Sequence, residues 1–124
     1  MHAFGTALAA HDVDSAVAQL SDDVVFRSPV VHKPYQGRDV VSAILHAVAR
    51  VLEDFRYVRE IGADDASDQA LVFWARVGDR EIEGCDFIHV DSSGAIDELY
   101  VMVRPMSGVL ALAEAMKAQL AGAG

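Results

Sequence analysis

Near Asp54 the spacing of apolar residues changes from a period of about 3.6 to a period of 2, which divides the chain into a helical front and a sheet-forming back. Before the change, Val41, Ile44, Leu45, Val48, Val51 and Leu52 form one stripe, with Ser42, His46, Arg50 and Glu53 opposite, as in a helix that buries one side. After it come four alternating segments, Phe55 to Ile61, Ala70 to Gly78, Arg80 to Asp91 and Ala95 to Pro105. The last three are joined by turn-like Gly78-Asp79 and Asp91-Ser92-Ser93-Gly94, so consecutive antiparallel pairing is the economical topology.

The remaining segments fill in the outline. Ala3 to Leu20 predicts two short helices broken at His11-Asp12, with Asp12 or Asp14 available as a cap and Val13, Ala16, Val17 and Leu20 at helical spacing. Val24 to Ser28 predicts a short strand, stopped by Pro29, followed by a loop through Pro34 to Gly37. A closing helix is expected from Ser107, with Val109, Leu112, Ala113, Met116 and Leu120 on one side and a fraying tail from Ala121 to Gly124. The 124 residues suit one domain, 1–124, able to bury about two-thirds of its unfolded surface. The expected class is α+β: a curved, mostly antiparallel sheet with helices packed on one face.

Charge and composition exclude several functions. A formal net charge of -9, with ten Lys and Arg that form no run, repels nucleic-acid phosphates and acidic membranes, so neither is an expected partner. No apolar run approaches the ~18 residues of a membrane span, and the N-terminus lacks a basic-then-apolar leader layout, which predicts a cytoplasmic protein. Cys85 is the only cysteine, and the five histidines lack metal-ligand spacing. No phosphate loop, dinucleotide fingerprint or nucleophile elbow is present, so no metal and no cofactor are expected.

Alternation assigns faces to the sheet. Ile82, Gly84, Asp86, Ile88 and Val90 share one side of their segment, and Leu71, Phe73, Ala75, Val77, Leu99, Val101 and Val103 extend it. This inner face is apolar except for one carboxylate, Asp86. The outer face carries Trp74, Arg76, Phe87, His89, Tyr100, Met102 and Arg104, a composition closer to a protein interface than to bare surface. A homodimer through Trp74, Phe87, His89, Tyr100 and Met102 is expected; the alternative is a bent sheet that tucks these side chains under its own edges.

The expected ligand is a small apolar molecule, in a pocket lined by Phe4, Phe26, Tyr35, Phe73, Ile82, Ile88, Leu99 and Val101. Burial disfavours a carboxylate, so an Asp86 among aliphatic neighbours is expected to have a raised pKa, suited to proton transfer near neutrality. Two readings stay open: a proton carrier, or a structural acid that accepts hydrogen bonds. Tyr57 can add a hydroxyl donor beside Asp86 or serve as core packing. His32, in the loop after Pro29, is a candidate base at the pocket rim or a solvated histidine. His2, His11, His46 and His89 have weaker claims.

Several motifs together resemble one superfamily: Asp12-Val13-Asp14 after the first helix, Asp22-Asp23 to Ser28-Pro29, Tyr35-Gln36-Gly37-Arg38, Glu83-Gly84-Cys85-Asp86-Phe87, and Asp91-Ser92-Ser93-Gly94-Ala95-Ile96. They look like the nuclear transport factor 2-like superfamily, and Val101-Met102-Val103-Arg104-Pro105 resembles its SnoaL-like bacterial members. The resemblance implies a cone-shaped, cystatin-like α+β barrel, commonly dimeric, with the helices on the concave face. It also implies a range of activities: ketosteroid isomerases, epoxide hydrolases, polyketide cyclases, dehydratases and non-catalytic association domains. By resemblance, Asp86 falls on the protonated aspartic acid of the ketosteroid isomerase oxyanion hole. The tyrosine of those enzymes aligns with Phe4, however, and their base aligns with Ser28, which argues against steroid isomerisation. The Arg-x-Asp of the epoxide hydrolases is Gly84-Cys85-Asp86 here. Two functions are carried forward: a cofactor-free acid/base enzyme (isomerase, cyclase or dehydratase type) acting on a small apolar carbonyl compound, and a non-catalytic dimeric module for ligand or protein association.

Overall fold

The computed structural model describes residues 1–123. The chain runs α1 (Ala3–Ala9), α2 (Val13–Val17), β1 (Leu20–Arg27), β2 (Tyr35–Gln36), α3 (Arg38–Val51), β3 (Glu53–Ile61), β4 (Asp68–Val77), β5 (Arg80–Val90), β6 (Ile96–Arg104) and α4 (Met106–Ala123). The strands form one sheet in the order β2-β1-β6-β5-β4-β3. The mixed α+β class stands, but the sheet is open: β2 and β3 are its two edges, and helices rather than strand pairing complete the wall.

The helical front breaks where the sequence turns polar. The Asp12 carboxylate accepts from Ser15 N at 3.1 Å and caps α2. Leu20, expected on that helix, instead opens β1, because its backbone is claimed by pairing with Ile96. Asp39 and Arg50 stand at the N-terminal and C-terminal turns of α3, each matching the helix dipole. α4 continues to Ala123; the rest of the expected frayed tail, Gly124, lies outside the described residues.

Strands β3 to β6 form the expected antiparallel meander. The less local pairing is β1 with β6, which is parallel and places Phe26 beside Leu99 and Arg27 beside Tyr100. The alternation read from sequence is seen in burial: Leu71, Phe73, Ala75, Val77, Ile82, Ile88 and Leu99 are buried, whereas Trp74, Phe87, Tyr100 and Met102 are exposed. One strand departs from it. β3 shifts register between Tyr57 and Arg59, so Tyr57 faces inward opposite Phe73 while Ile61 is turned outward and is 55% exposed.

Two apolar clusters fill the concave side. One joins Phe4, Ala7 and Ala16 of the front helices to Leu20, Val24, Phe26, α3, Ile88, Ile96 and Leu99. The other joins Phe73, Ala75, Val77 and Ile82 to Leu112 of α4. Val101 and Met116 pack against both. Gly84 lies under this second cluster, where a Cβ would stand 2.3 Å from the Phe73 ring, so only glycine lets that ring lie flat on β5.

Candidate functional site

Between the two clusters the packing leaves a cavity of about 450 Å³, within the ~300–1,000 Å³ usual for small-molecule sites. Its floor is the inner face of the sheet, with Phe73, Ile82, Leu99, Val101 and Val103; its walls are α3 and α4; Ser28 to Val31 and the α1–α2 turn border it. Asp86 is the sole carboxylate in this lining.

Asp86 is 6% exposed at the centre of β5, between Leu71 of β4 and Val101 of β6. Tyr57 donates its hydroxyl to Asp86 Oδ2 at 2.6 Å. This is the only hydrogen bond to the carboxyl among the described residues, and no side-chain oxygen there is both buried and without a partner. Oδ1 is therefore the oxygen open to the cavity. Burial pushes the Asp86 pKa up to about 6, against a smaller downward pull from the Tyr57 hydrogen bond. Burial, and then the adjacent carboxyl, hold Tyr57 well above its ordinary range, so it remains a neutral donor.

The tyrosine is positioned by aromatic packing. Its ring meets Phe55 edge-on at 4.9 Å between centroids and Phe73 at 6.5 Å, also edge-on. Tyr57→Phe keeps this packing and removes the one hydrogen bond that favours the Asp86 carboxylate. A proton-transfer rate that depends on Asp86 should then show its inflection above pH 6, and a pH-rate profile of the two proteins reads the shift directly; an unmoved inflection would mean the bond does not tune the acid.

Of the residues expected to line the pocket, Phe26, Tyr35, Phe73, Ile82, Leu99 and Val101 do so. Phe4 and Ile88 do not: both are buried in the first apolar cluster and stand outside the lining. Tyr57 reaches the site through Asp86 rather than by lining it. His32 is exposed and outside the lining, because the loop turns Ser28, Pro29, Val30 and Val31 to the cavity and carries His32 past it. Ser28 Oγ accepts from Val30 N at 2.9 Å and Val31 N at 3.2 Å, a local turn bond that shapes this loop. His11 and Lys117, which the sequence pattern does not single out, both line the cavity. The break at His11-Asp12 was the available signal for the first, and the helical stripe through Met116 hid the second. Cys85 faces away on the outer side, and burial raises its pKa further from reactivity. No cluster of three or more His, Cys, Asp or Glu is placed to hold a metal among the described residues, and no helix there is long and apolar enough to cross a membrane.

Comparison with known proteins fits this geometry. The family model described as "SnoaL-like domain" matches residues 1–99. The chain belongs to the SnoaL-like family. Among solved structures it is similar to a steroid delta-isomerase from Pseudomonas aeruginosa, with 47% identity, a TM-score of 0.89, and coverage of 94% of this chain and 85% of that one. An uncharacterised bacterial protein with a cystatin-like fold from Silicibacter pomeroyi is 36% identical, with a TM-score of 0.88 and coverage of 94% and 82%. An epoxide hydrolase/cyclase-like enzyme of pyran ring formation in the polyether salinomycin shares the fold at 15% identity, with a TM-score of 0.67 and coverage of 85% and 87%. No functionally curated protein matches. The SnoaL-like fold, and not a particular reaction, is what these relatives have in common with the chain.

Proposed function

We propose that this SnoaL-like protein is a cofactor-free acid/base enzyme for a small, mostly apolar carbonyl compound, with Asp86 as its proton carrier and Tyr57 as a positioning residue. The observation that carries the reading is the Asp86 carboxyl: one oxygen is fixed by Tyr57, the other opens into an apolar cavity, and the pKa of about 6 leaves both protonation states accessible near neutrality. Ionised, Oδ1 takes a proton from the carbon next to a carbonyl; the C–H bond breaks, an O–H bond forms, and the electron pair moves onto the carbonyl oxygen. Returning the proton to the same or a conjugated carbon completes an exchange or an isomerisation.

Steroid isomerisation is not the favoured case despite the similar Pseudomonas aeruginosa protein. Phe4 stands where the resemblance puts a tyrosine donor and is enclosed in the core, and Ser28 stands where it puts a carboxylate base. A carbonyl compound whose proton transfer Asp86 alone can serve agrees better with these two positions. The test is α-proton exchange: apolar cyclic ketones incubated with the protein in D2O and followed by NMR. Exchange accelerated by the protein and lost with Asp86 supports the reading. Cavity binding of those ketones without exchange would replace it by the ligand-binding alternative.

The dimer belongs to the same proposal. Trp74, Phe87, Tyr100 and Met102 remain exposed on the outer face, and His89 Nδ1 lies 2.6 Å from Asp97 at its edge. Such a patch is covered economically by a second copy. Phe87→Asp should convert a dimer into a monomer in analytical ultracentrifugation; a monomeric parent protein would refute the interface.

A further inference from the structure

The acid/base reading leaves two groups of the cavity unused. Lys117 is the only Lys or Arg in the lining and His11 the only histidine, and they come from opposite ends of the chain. Both are exposed, so they stand where the cavity meets solvent. Among the described residues Lys117, like Lys33, Arg50, Arg56 and Arg59, joins no ion pair, and of these it is the one that lines the cavity. The His11 ring makes no hydrogen bond there either, whereas His46 and His89 are each bonded to an aspartate.

Their placement follows from the fold. Gly108 at the start of α4 lies over Ile82, Leu112 sits in the second apolar cluster, and Met116 packs at the junction with the first. α4 packs on α3 and on β4 to β6, and Lys117 and Leu120, beyond Met116, line the same cavity that His11 borders. There His11 closes α1 in a left-handed conformation, φ 60°, with Asp12 N donating to Ala7 O at 2.9 Å and His11 N to Leu8 O at 3.0 Å. A histidine held at a position better suited to glycine or asparagine has its direction set by the backbone. Exposed Val30, Val31 and Leu120 line the same cavity. In a chain of net charge -9, the mouth thus offers aliphatic side chains, a lysine outside any ion pair among the described residues and an imidazole, while the only carboxylate of the lining lies on the cavity floor.

We propose that the cavity takes an amphipathic carboxylic acid, with its apolar body inside and its carboxylate at the mouth against Lys117 and His11. The inference rests on the cavity being a small-molecule site and adds the substrate class: a carbonyl compound that also bears a free carboxylate, at the far end from the carbon presented to Asp86.

Octanoate and 1-octanol, equal in chain length and different in charge, separate this from the acid/base reading. Calorimetric titration at neutral pH and low salt should show octanoate binding about tenfold tighter. Added salt should narrow the gap. The double variant Lys117→Gln with His11→Gln should bring the two ligands close to equal affinity, and Arg59→Gln, an exposed cation outside the lining, should leave the preference in place. Equal binding by the parent protein, a preference that survives the double variant, or one that disappears in Arg59→Gln would overturn the inference and leave the ketone-exchange result standing. Failure of both ligands to bind would overturn the small-molecule cavity itself.

Discussion

Asp86→Asn should lower the rate of α-proton exchange by about 10²- to 10⁴-fold, the usual contribution of a positioned general acid or base. The substitution keeps the shape and the oxygen that Tyr57 donates to, so ketone binding should change little while turnover collapses. Stability should move the opposite way. In the folded protein the carboxyl has a pKa of about 6, against an ordinary value of 3.8, so the folded state holds its proton more tightly than the unfolded chain does. The benefit of that proton is complete below pH 3.8 and is lost as pH rises through 6. Above pH 6 the buried carboxylate costs on the order of 3 kcal/mol relative to an ordinary one. A neutral amide in its place carries no such cost. The variant should therefore melt higher than the parent at pH 7.5 and gain much less at pH 4, as thermal unfolding of both proteins at the two pH values will measure. A gain independent of pH would mean that the acid is not held neutral by its surroundings, and a preserved exchange rate would remove it from the chemistry.

Phe4→Ala should be the most damaging core truncation of the front helices. Phe4 has no exposed surface and anchors α1 in the cluster with Ala16, Leu20 and Val24. Removing such a ring from a packed interior costs about 3–5 kcal/mol, a large part of the roughly 5–15 kcal/mol that stabilises a typical domain. The expected loss in Tm is on the order of 15 °C. Because Phe4 does not line the cavity, the cause is structural: whatever fraction stays folded should retain the ketone exchange per folded molecule. Phe4→Tyr should not create activity, since its hydroxyl would enter the core rather than the cavity. Exchange that rises in Phe4→Tyr would reinstate the steroid-isomerase arrangement.

Much of this architecture is legible in the sequence because it is local. The period change near Asp54, the turns at Gly78 and Gly94 and the alternation along β5 are enough to assign the meander, its two faces and the inward Asp86. Pairing between distant segments leaves no comparable trace. Nothing in Leu20 to Arg27 announces a parallel partner in β6, and although alternation already places Tyr57 inward, nothing at Tyr57 to Arg59 announces the register shift that turns Ile61 outward. The same holds for the site. Asp86 stands out as an exception to an apolar pattern, whereas His11 and Lys117 are ordinary polar residues of a helix end and a helix side until folding brings both to one cavity. His32 owes its candidacy to loop position alone, and a loop's path is the feature that local pattern describes least.

The parallel pairing of β1 with β6 also governs how the cavity is assembled in time. Arg27 and Glu98, joined by an ion pair across that seam, are 71 residues apart, whereas β4 and β5 meet across the two-residue turn Gly78-Asp79. Closing the long loop carries a larger entropy cost, growing as about (3/2)RT ln n, and non-local pairing slows folding. The meander that holds Asp86 can therefore form first, as a floor without walls, its Phe73, Ile82 and Leu99 still wet. On the ribosome α3 emerges before the floor strands, β6 after every other strand and α4 after that, so the helix that bears Lys117 is the last wall available to close the chamber.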